Sequence, residues 1–458
     1  MMSVQEAAAM VKGQASGGNP VFKGVSTDTR TVRPGELFVA LRGERFDGHA
    51  FLDQAKSAGA LAAMVDRSFA GPLPMPAIVV DDTRLALGAL AGGWRARFAP
   101  MLIAITGSNG KTTVKEMLAS ILRRHAGEEA VLSTAGNLNN EIGLPLTLLK
   151  LAARHRCCAI ELGMNHQGEI AYLAGIARPG VALVNNAQRE HLEFMKSIGE
   201  VAAENASVYG ALPPQGVAVI NADDAHADFF RKVAGKRRVV DFGLEKKALI
   251  SGGYALKALR SEIDIRTPAG EARATLAIPG LHNVRNSLAA AACAFAIGIK
   301  EEIIAEGLSA FRPYAGRLQV KSAASGATVI DDSYNANPDS VRAAIDVLAA
   351  CPAPTVLVLG DMGEVGERGA EFHREVGSYA LAKKITNLLA IGDATRHAVE
   401  AFGTGGRHFD SIESLLSSIQ GKSILVKGSR FMKMERVVAA LTTSAPASGR
   451  SAAPEGGR

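Results

Sequence analysis

Short, wholly apolar runs, each followed by a segment whose apolar residues recur every three or four positions, repeat along most of this chain. The clearest pair is Ile103, Ala104 and Ile105, a continuous apolar run, and then Val114, Met117, Leu118, Ile121 and Leu122 at helical spacing. The first suits a strand covered on both faces, the second a helix with one buried stripe. The same alternation predicts strands over 157–162, 181–185 and 217–221, and helices over 199–209 and 282–298. Buried strands alternating with helices make a parallel sheet with helices on both faces. Upstream, strand-like runs over 36–41, 60–65 and 77–80, separated by Gly and Pro turns, describe a small α/β unit, and a helical stretch over 84–98 leads out of it. Over 248–279 the helical signal disappears and short alternating runs predict an antiparallel patch. After Arg312-Pro313 the pattern restarts, with strands over 328–332, 355–360, 388–392 and 423–427, each leading towards a helix.

The expected fold is therefore α/β in three domains: a small N-terminal α/β domain over 1–81, a central parallel-sheet domain over 82–314 and a C-terminal Rossmann-like domain over 315–441. The length of 458 residues asks for about that many. From Thr442 the sequence is mostly Ser, Ala, Pro, Gly and Arg, too poor in apolar residues to fold, so a disordered tail is expected over 442–458. No short solenoid repeat is visible.

Composition narrows the class. With 47% hydrophobic and 21% charged residues, the chain reads as an ordinary globular protein. The longest apolar run, over 288–299, falls short of the ~20 residues of a membrane span. The first residues, to Lys12, lack the charged and apolar zones of a signal peptide. No membrane span and a cytoplasmic address are expected. Cys157, Cys158, Cys293 and Cys351 show no metal-ligand spacing and read as reduced core thiols. The net charge of +6 comes from scattered lysines and arginines without a basic run or interleaved aromatics, so no nucleic-acid partner is expected. A small polyanionic substrate accounts for the excess.

The chemistry gathers at the ends of the predicted strands, where α/β sheets bind their ligands. Gly107-Ser108-Asn109-Gly110-Lys111-Thr112-Thr113 lies between the first central strand and its helix. The glycines let backbone amides turn inward around a polyphosphate, at a helix N-terminus that adds partial positive charge. Lys111 would sit on the β/γ-phosphates and Thr112 on Mg²⁺, so ATP is the expected cofactor and the central unit a P-loop mononucleotide-binding domain. The loop is shorter than the usual Gly-x-x-x-x-Gly-Lys-[Ser/Thr] spacing. Glu161 closes a buried strand near this loop and is placed to take Mg²⁺ directly or through water. His191, in the loop after the strand over 181–185, reads alone as equally a surface histidine or a ligand; beside Glu161, Lys111 and Thr112 it becomes a second metal ligand. Asn137, Asn139 and Asn140 form either a plain turn or amides that hold a polar substrate. His282-Asn283 opens an alanine-rich helix, either as a cap or with Asn283 on an adenine edge, and Asn286 lies one turn later on the same face. In the last domain Arg317, Asp331, Asp332, Tyr334, Asn335 and Asn337 crowd one strand end, where Arg317 and Asp332 suit a ribose.

With these motifs assembled, the sequence resembles the Mur ligases. The resemblance runs through Ser26 to Arg30, Gly43 to His49, Thr106 to Thr113, Asn137 to Pro145, Glu161 to Met164, His191-Leu192-Glu193, Leu281 to Asn286 and Asp332 to Pro338. It implies an ATP-dependent amide ligase working through an acyl phosphate, with a UDP-muramoyl peptide as acceptor. It assigns Ser26, Thr27, Arg30, Asp47 and His49 to the UDP-sugar end. Lys111, His191 and Glu161 are then catalytic, Thr112, Glu161 and His191 hold metal, and Gly107 to Thr113 with Asn283, Arg317 and Asp332 hold ATP. Asn137, Asn139 and Asn140 serve the substrate, and Asn335 and Asn337 lie where the last domain closes. Single-amino-acid-adding members usually carry Asp-Asn-Pro-Arg in the last domain; this chain has Asn335-Ala336-Asn337-Pro338-Asp339-Ser340, which favours D-alanyl-D-alanine as the amine and UDP-N-acetylmuramoyl-tripeptide as the acceptor. A monomer is expected. One departure stands out: family members usually place a carbamylated lysine where this chain has Asn205, so a neutral amide replaces an anionic metal ligand, and Asn205→Lys is expected to keep activity and lower the Mg²⁺ requirement. A folylpolyglutamate-type enzyme would lack the first domain, and a P-loop switch would leave the asparagine loop and last domain without a purpose.

Overall fold

The computed structural model describes residues 1–44 and 46–443. Its centre is a six-stranded, all-parallel sheet in the order Val131–Ser133, Cys157–Glu161, Met101–Thr106, Val181–Val184, Val217–Asn221, Arg238–Phe242. Chain order reverses beside Met101–Thr106, and at such a switch point the loops leaving the two strand ends part and open a crevice.

The uninterrupted apolar runs are explained by two cores. Ile103, Ile105, Ala159, Leu183 and Val219 face a core shared with helices Lys111–Ala126 and Leu281–Ala296. Their neighbours Leu102, Ala104, Ile160, Val184 and Ile220 face the other, shared with helices Thr83–Arg95, Gly143–Leu148 and Glu169–Ala177. A strand covered on both faces leaves no position for polar alternation.

Two further parallel sheets flank this one. Upstream, five strands run in the order Gln14–Ser16, Ala77–Val80, Ala62–Asp66, Leu37–Val39, Val25–Ser26, with Gln14–Ser16 antiparallel. Downstream, six run Gln319–Ser322, Thr328–Asp332, Ser423–Lys427, Thr355–Gly360, Asn387–Ile391, Gly406–Phe409, with Gln319–Ser322 antiparallel. The expected antiparallel patch is the three-stranded sheet Ser251–Lys257, Arg260–Thr267, Gly270–Leu276. The α/β class with parallel sheets is borne out.

Local readings differ in detail. The helix expected over 84–98 is Thr83–Arg95, started by Asp82, whose carboxylate accepts the amides of Arg84 and Leu85. The helix expected over 199–209 is Ile198–Ala206 followed by a 3₁₀ turn, Ser207–Ala211. Of the tail expected over 442–458, Thr442 closes helix Glu435–Thr442, and residues 444–458 lie outside the described residues. All four cysteines are buried free thiols. Among the described residues no helix is long and apolar enough to cross a membrane.

Candidate active site

The loop after Met101–Thr106 is shaped by its glycines. Gly107 and Gly110 sit at φ 131° and 84°, and a Cβ on Gly110 would fall 2.3 Å from the Asn286 side-chain oxygen. Glycine is thus required there both by backbone conformation and by close approach. The Lys111 ammonium donates to the carbonyls of Gly107 (2.6 Å) and Ser108 (3.0 Å) and pairs with both oxygens of Glu190 at 3.1 Å. Ser108, Lys111 and Glu190 line a cavity of about 550 Å³ with Thr112, Glu161, His191, Asn137, Asn139, Asn140, Asn335 and Asn337.

Glu161 ends strand Cys157–Glu161 and is almost wholly buried. Its Oε1 accepts from Asn139 Nδ2 (2.8 Å) and the Thr112 hydroxyl (3.2 Å), while Oε2 is buried without a hydrogen-bond partner. A carboxylate oxygen stripped of water and left unpaired is costly, and a hard cation at that point relieves it. Among the described residues no three His, Cys, Asp or Glu side chains converge into a complete cage. The set therefore suits Mg²⁺, which keeps water and substrate phosphate in its shell. His191 adopts a left-handed φ of 53°. Its Nδ1 lies 2.7 Å from Glu364 Oε2, off the axis of a proper hydrogen bond, and its Nε2 lies 3.6 Å from Glu190 Oε1. The imidazole beside it holds the Glu364 carboxyl below its ordinary range, against the opposing effect of burial.

A second cavity, about 450 Å³, opens on the other side of the loop. A chain of amides crosses its floor: Asn185 donates to Asn286 (3.0 Å), and Asn286 to Asn283 (3.1 Å). Asn283 donates to the Pro279 carbonyl (2.7 Å) and to His282 Nε2 (3.0 Å), so its amide is engaged internally, one turn into the helix it was expected to cap or to serve from. Burial, with Lys427 and Arg285 nearby, pushes the His282 imidazole down to about 4. From the last sheet come Arg317, stacked over Tyr334 at 4.3 Å, and Asp332, which accepts from the Leu318 amide (3.2 Å) and pairs with Lys427 at 2.6 Å. Burial pushes the Lys427 ammonium below the lysine range, with Asp332 acting against it.

The loops of the two domains meet above these cavities. Asn337 caps helix Pro338–Ala349 through the Ser340 amide and donates to Asn109 Oδ1 at 2.9 Å. Arg189 reaches Asp339 at 2.6 Å and Glu375 at 2.7 Å, lies over Phe372, and donates its backbone amide to Asp339 at 3.0 Å. Its charge is held well above the ordinary arginine range by those carboxylates. Asn335 Oδ1 accepts from the Ala336 amide (2.9 Å), while Asn140 Oδ1 accepts the Gly143 amide (2.9 Å) in the turn that leads into helix Gly143–Leu148. The asparagine loop thus acts both as a turn and as a lining of the cavity. Asn205 is fully buried, accepting from Thr106 (2.6 Å) and donating to the Val201 carbonyl (2.9 Å). A lysine at 205 must break both bonds, so the expected gain from Asn205→Lys carries a folding cost.

Ser26 and Thr27 line a separate cleft of about 1060 Å³ beside the first sheet, with Lys23, Arg33, Lys150 and Arg154. Arg30 is turned to solvent and pairs with Asp28 at 2.5 Å, and neither Asp47 nor His49 lines this cleft. His49 is instead a packing residue. Its Nδ1 lies 2.6 Å from Asp47 Oδ1, its Nε2 accepts the Asp66 amide at 3.0 Å, and its ring stacks on Phe69. Sequence reasoning missed Arg189, Glu190, Glu364 and Lys427. The first two adjoin His191, and Lys427 is register partner to Asp332 across the last sheet.

A P-loop at the switch point of a parallel sheet, with a strand-end carboxylate against its threonine and a second α/β domain over it, defines a nucleotide-dependent phosphoryl-transfer protein. Residues 21–95 match the Mur ligase catalytic domain, 105–294 the Mur ligase middle domain and 316–430 the Mur ligase glutamate ligase domain. The chain is 41% identical over 441 residues to the UDP-N-acetylmuramoyl-tripeptide--D-alanyl-D-alanine ligase of Escherichia coli (strain K12), covering 94% of this chain and 96% of that one. It is 34% identical to the Bacillus subtilis (strain 168) protein of the same name, covering 96% and 98%. A crystal structure of MurF from Acinetobacter baumannii superposes with a TM-score of 0.89 at 34% identity, covering 96% and 98% of the two chains. MurF ligase from Thermotoga maritima, in complex with ADP, gives 0.80 at 25% identity, covering 92% and 97%. The chain belongs to the Mur ligase family.

Proposed function

We propose that this chain is an ATP-dependent ligase of peptidoglycan precursor synthesis that adds D-alanyl-D-alanine to UDP-N-acetylmuramoyl-tripeptide. The observation that carries the reading is the unpartnered Glu161 oxygen in the cavity that Thr112 and Lys111 also line, with a nucleoside-sized cavity on the other side of the same loop. We assign residues 1–81 to the UDP-sugar, 82–314 to ATP and 315–441 to the closing domain, and place the enzyme in the cytoplasm as a monomer.

A carboxylate and an amine do not condense in water without activation. The tripeptide carboxylate attacks the γ-phosphorus of ATP in line; the β–γ bridging bond breaks, ADP leaves and an acyl phosphate forms. The dipeptide amine then attacks the acyl carbon, loses its proton, and inorganic phosphate departs. Lys111 turns from its loop carbonyls to the γ-phosphate and neutralises its charge, while the amides of Gly110, Lys111 and Thr112 at the helix start hold the phosphate chain; those of Ser108 and Asn109 are taken by Asn186. Thr112, Glu161 and His191 would hold Mg²⁺, which supplies charge neutralisation for the transferring phosphoryl group. Asn283, Arg317 and Asp332 border the adenosine cavity. The amine enters by a cleft of about 380 Å³ that His191, Asn335 and Asn337 share with the phosphate cavity. There Arg430 suits a terminal carboxylate, and Val365 and Phe431 the methyl groups. Closure of the last domain keeps water from the acyl phosphate.

The test is phosphate release with UDP-muramoyl peptides crossed with D-alanine, D-alanyl-D-alanine and diaminopimelate. Release that requires both the tripeptide and D-alanyl-D-alanine is expected. Release without an amine, or a preference for diaminopimelate, refutes the assignment.

A further inference from the structure

We propose that Glu190 is a divalent-cation ligand, completing with His191 Nε2 a second cation position beside that of Glu161. The inference rests on the ATP and Mg²⁺ reading above and adds a residue to it.

Glu190 lies in the turn between Val181–Val184 and helix Ile198–Ala206, and its carboxylate is 12% exposed at the wall of the phosphate cavity. With no nucleotide present both its oxygens stand 3.1 Å from the Lys111 ammonium. That partner is needed elsewhere once a polyphosphate enters, because Lys111 is the cation of the P-loop. Glu190 then faces phosphate oxygens as an enclosed anion without a counter-charge, an arrangement that repels unless a cation stands between them. The adjacent donor is His191 Nε2, 3.6 Å from Glu190 Oε1. The other nitrogen of that ring lies 2.7 Å from the Glu364 carboxylate, off a hydrogen-bond axis in this arrangement but close enough to become the outer support of a metal-binding imidazole after a small rotation of the ring. Asn205 adds no charge here, since its amide is committed to Thr106 and Val201. Two carboxylates on separate elements, Glu161 at a strand end and Glu190 in a loop, with Thr112 and His191, therefore suit two cations sharing the phosphate oxygens between them.

The test counts Mn²⁺ bound to the full chain, from loss of the free-ion EPR signal, in the presence of a non-hydrolysable methylene analogue of ATP. Two Mn²⁺ per chain are expected for the unmodified protein. In Glu190→Gln one site persists and the other weakens by at least about tenfold, since even outer partners of a metal ligand contribute that much. Glu190→Asp, shorter but still charged, recovers part of the loss. Two sites of unchanged affinity in Glu190→Gln overturn the proposal, whether or not the analogue binds more tightly; Glu190 is then a counter-ion of Lys111 and nothing more. An unmodified chain that binds the analogue with a single Mn²⁺ also overturns it while leaving the nucleotide reading intact, and one that binds no analogue overturns both.

Discussion

Truncating Arg189 to alanine should loosen closure of the last domain without touching the nucleotide. The guanidinium extends from the His191 loop to Asp339 at the start of helix Pro338–Ala349 and to Glu375 on helix Gly369–Ala382. All three side chains are under a third exposed, at 19%, 25% and 30%, so solvent screens the pairs only partly. Glu375 keeps Arg342 at 2.8 Å after the truncation, whereas Asp339 loses its side-chain partner and retains the residue-189 amide. A hydrogen bond to a charged group contributes about 1.5–3 kcal/mol, an exposed ion pair about 0–1. Summing one of the first with a screened second gives about 1.5–4 kcal/mol favouring the closed arrangement, or roughly 10- to 1,000-fold in the closure equilibrium.

Arg189 lines neither the phosphate nor the nucleoside cavity, but its partner Asp339 borders the nucleoside cavity and Arg189 itself borders the amine cleft, so the internal comparison is an ADP affinity that changes far less than the radius of gyration does. Small-angle scattering with bound nucleotide should show a larger radius of gyration for Arg189→Ala. Steady-state phosphate release should show a raised KM for the dipeptide together with a lower kcat. Added salt should weaken closure in the unmodified protein and have little effect on the variant. Arg189→Lys, with one point charge in place of a fork, should recover only part. If Arg189→Ala leaves both the radius and the dipeptide KM unchanged, the clasp does not hold the domains and the reasoning fails.

Three further outcomes are expected. Lys111→Ala should abolish phosphate release while far-ultraviolet circular dichroism and the melting curve show a folded chain; substantial residual turnover would count against its role at the γ-phosphate. Asn205→Ala should lower stability by about 1–3 kcal/mol in denaturant unfolding, because the buried Thr106 hydroxyl loses its acceptor; an unchanged midpoint would refute that reading. His282 accepts a hydrogen bond from Asn283 as the neutral ring, and its value falls from 6.5 to about 4 on folding. Its contribution is fully present above pH 6.5 and is lost as pH falls towards about 4, where the unfolded chain takes up a proton the folded chain resists, for at most about 3 kcal/mol. Denaturation series at pH 7 and pH 5 should show this loss, and His282→Gln should flatten it.

The strands that sequence reading located to the residue, 217–221, 328–332, 355–360 and 423–427 among them, are buried along their whole length or nearly so. Burial on both faces keeps the strand interiors apolar and leaves polar residues such as Asn221, Asp332 and Lys427 to the ends, and an apolar run of that kind is hard to mistake. The strands it passed over, Val131–Ser133, Arg238–Phe242 and Gly406–Phe409, form sheet edges. An edge strand is half exposed and keeps polar residues such as Arg238, Arg407 and His408, so its periodicity is diluted and its existence depends on the neighbour it pairs with.

The site divides along the same physical line. The turn at Gly107, Gly110, Lys111 and Thr112 was legible because the left-handed glycines fix its backbone conformation locally, and local constraints leave a mark at fixed spacing. His49 is ambiguous in sequence because a histidine carries the same mark whether its ring meets a ligand or a backbone amide, and here the amide of Asp66, distant in sequence, takes its Nε2. Lys427 and Arg189 left no mark because their function is defined by partners about a hundred residues or more away: Asp332 through strand register, Asp339 and Glu375 through domain contact. What makes a buried lysine tolerable is the carboxylate across the sheet, and that pairing exists only once the fold has placed the two strand ends side by side. Residues whose chemistry is set by long-range pairing are therefore the part of an interdomain site that a single sequence conceals.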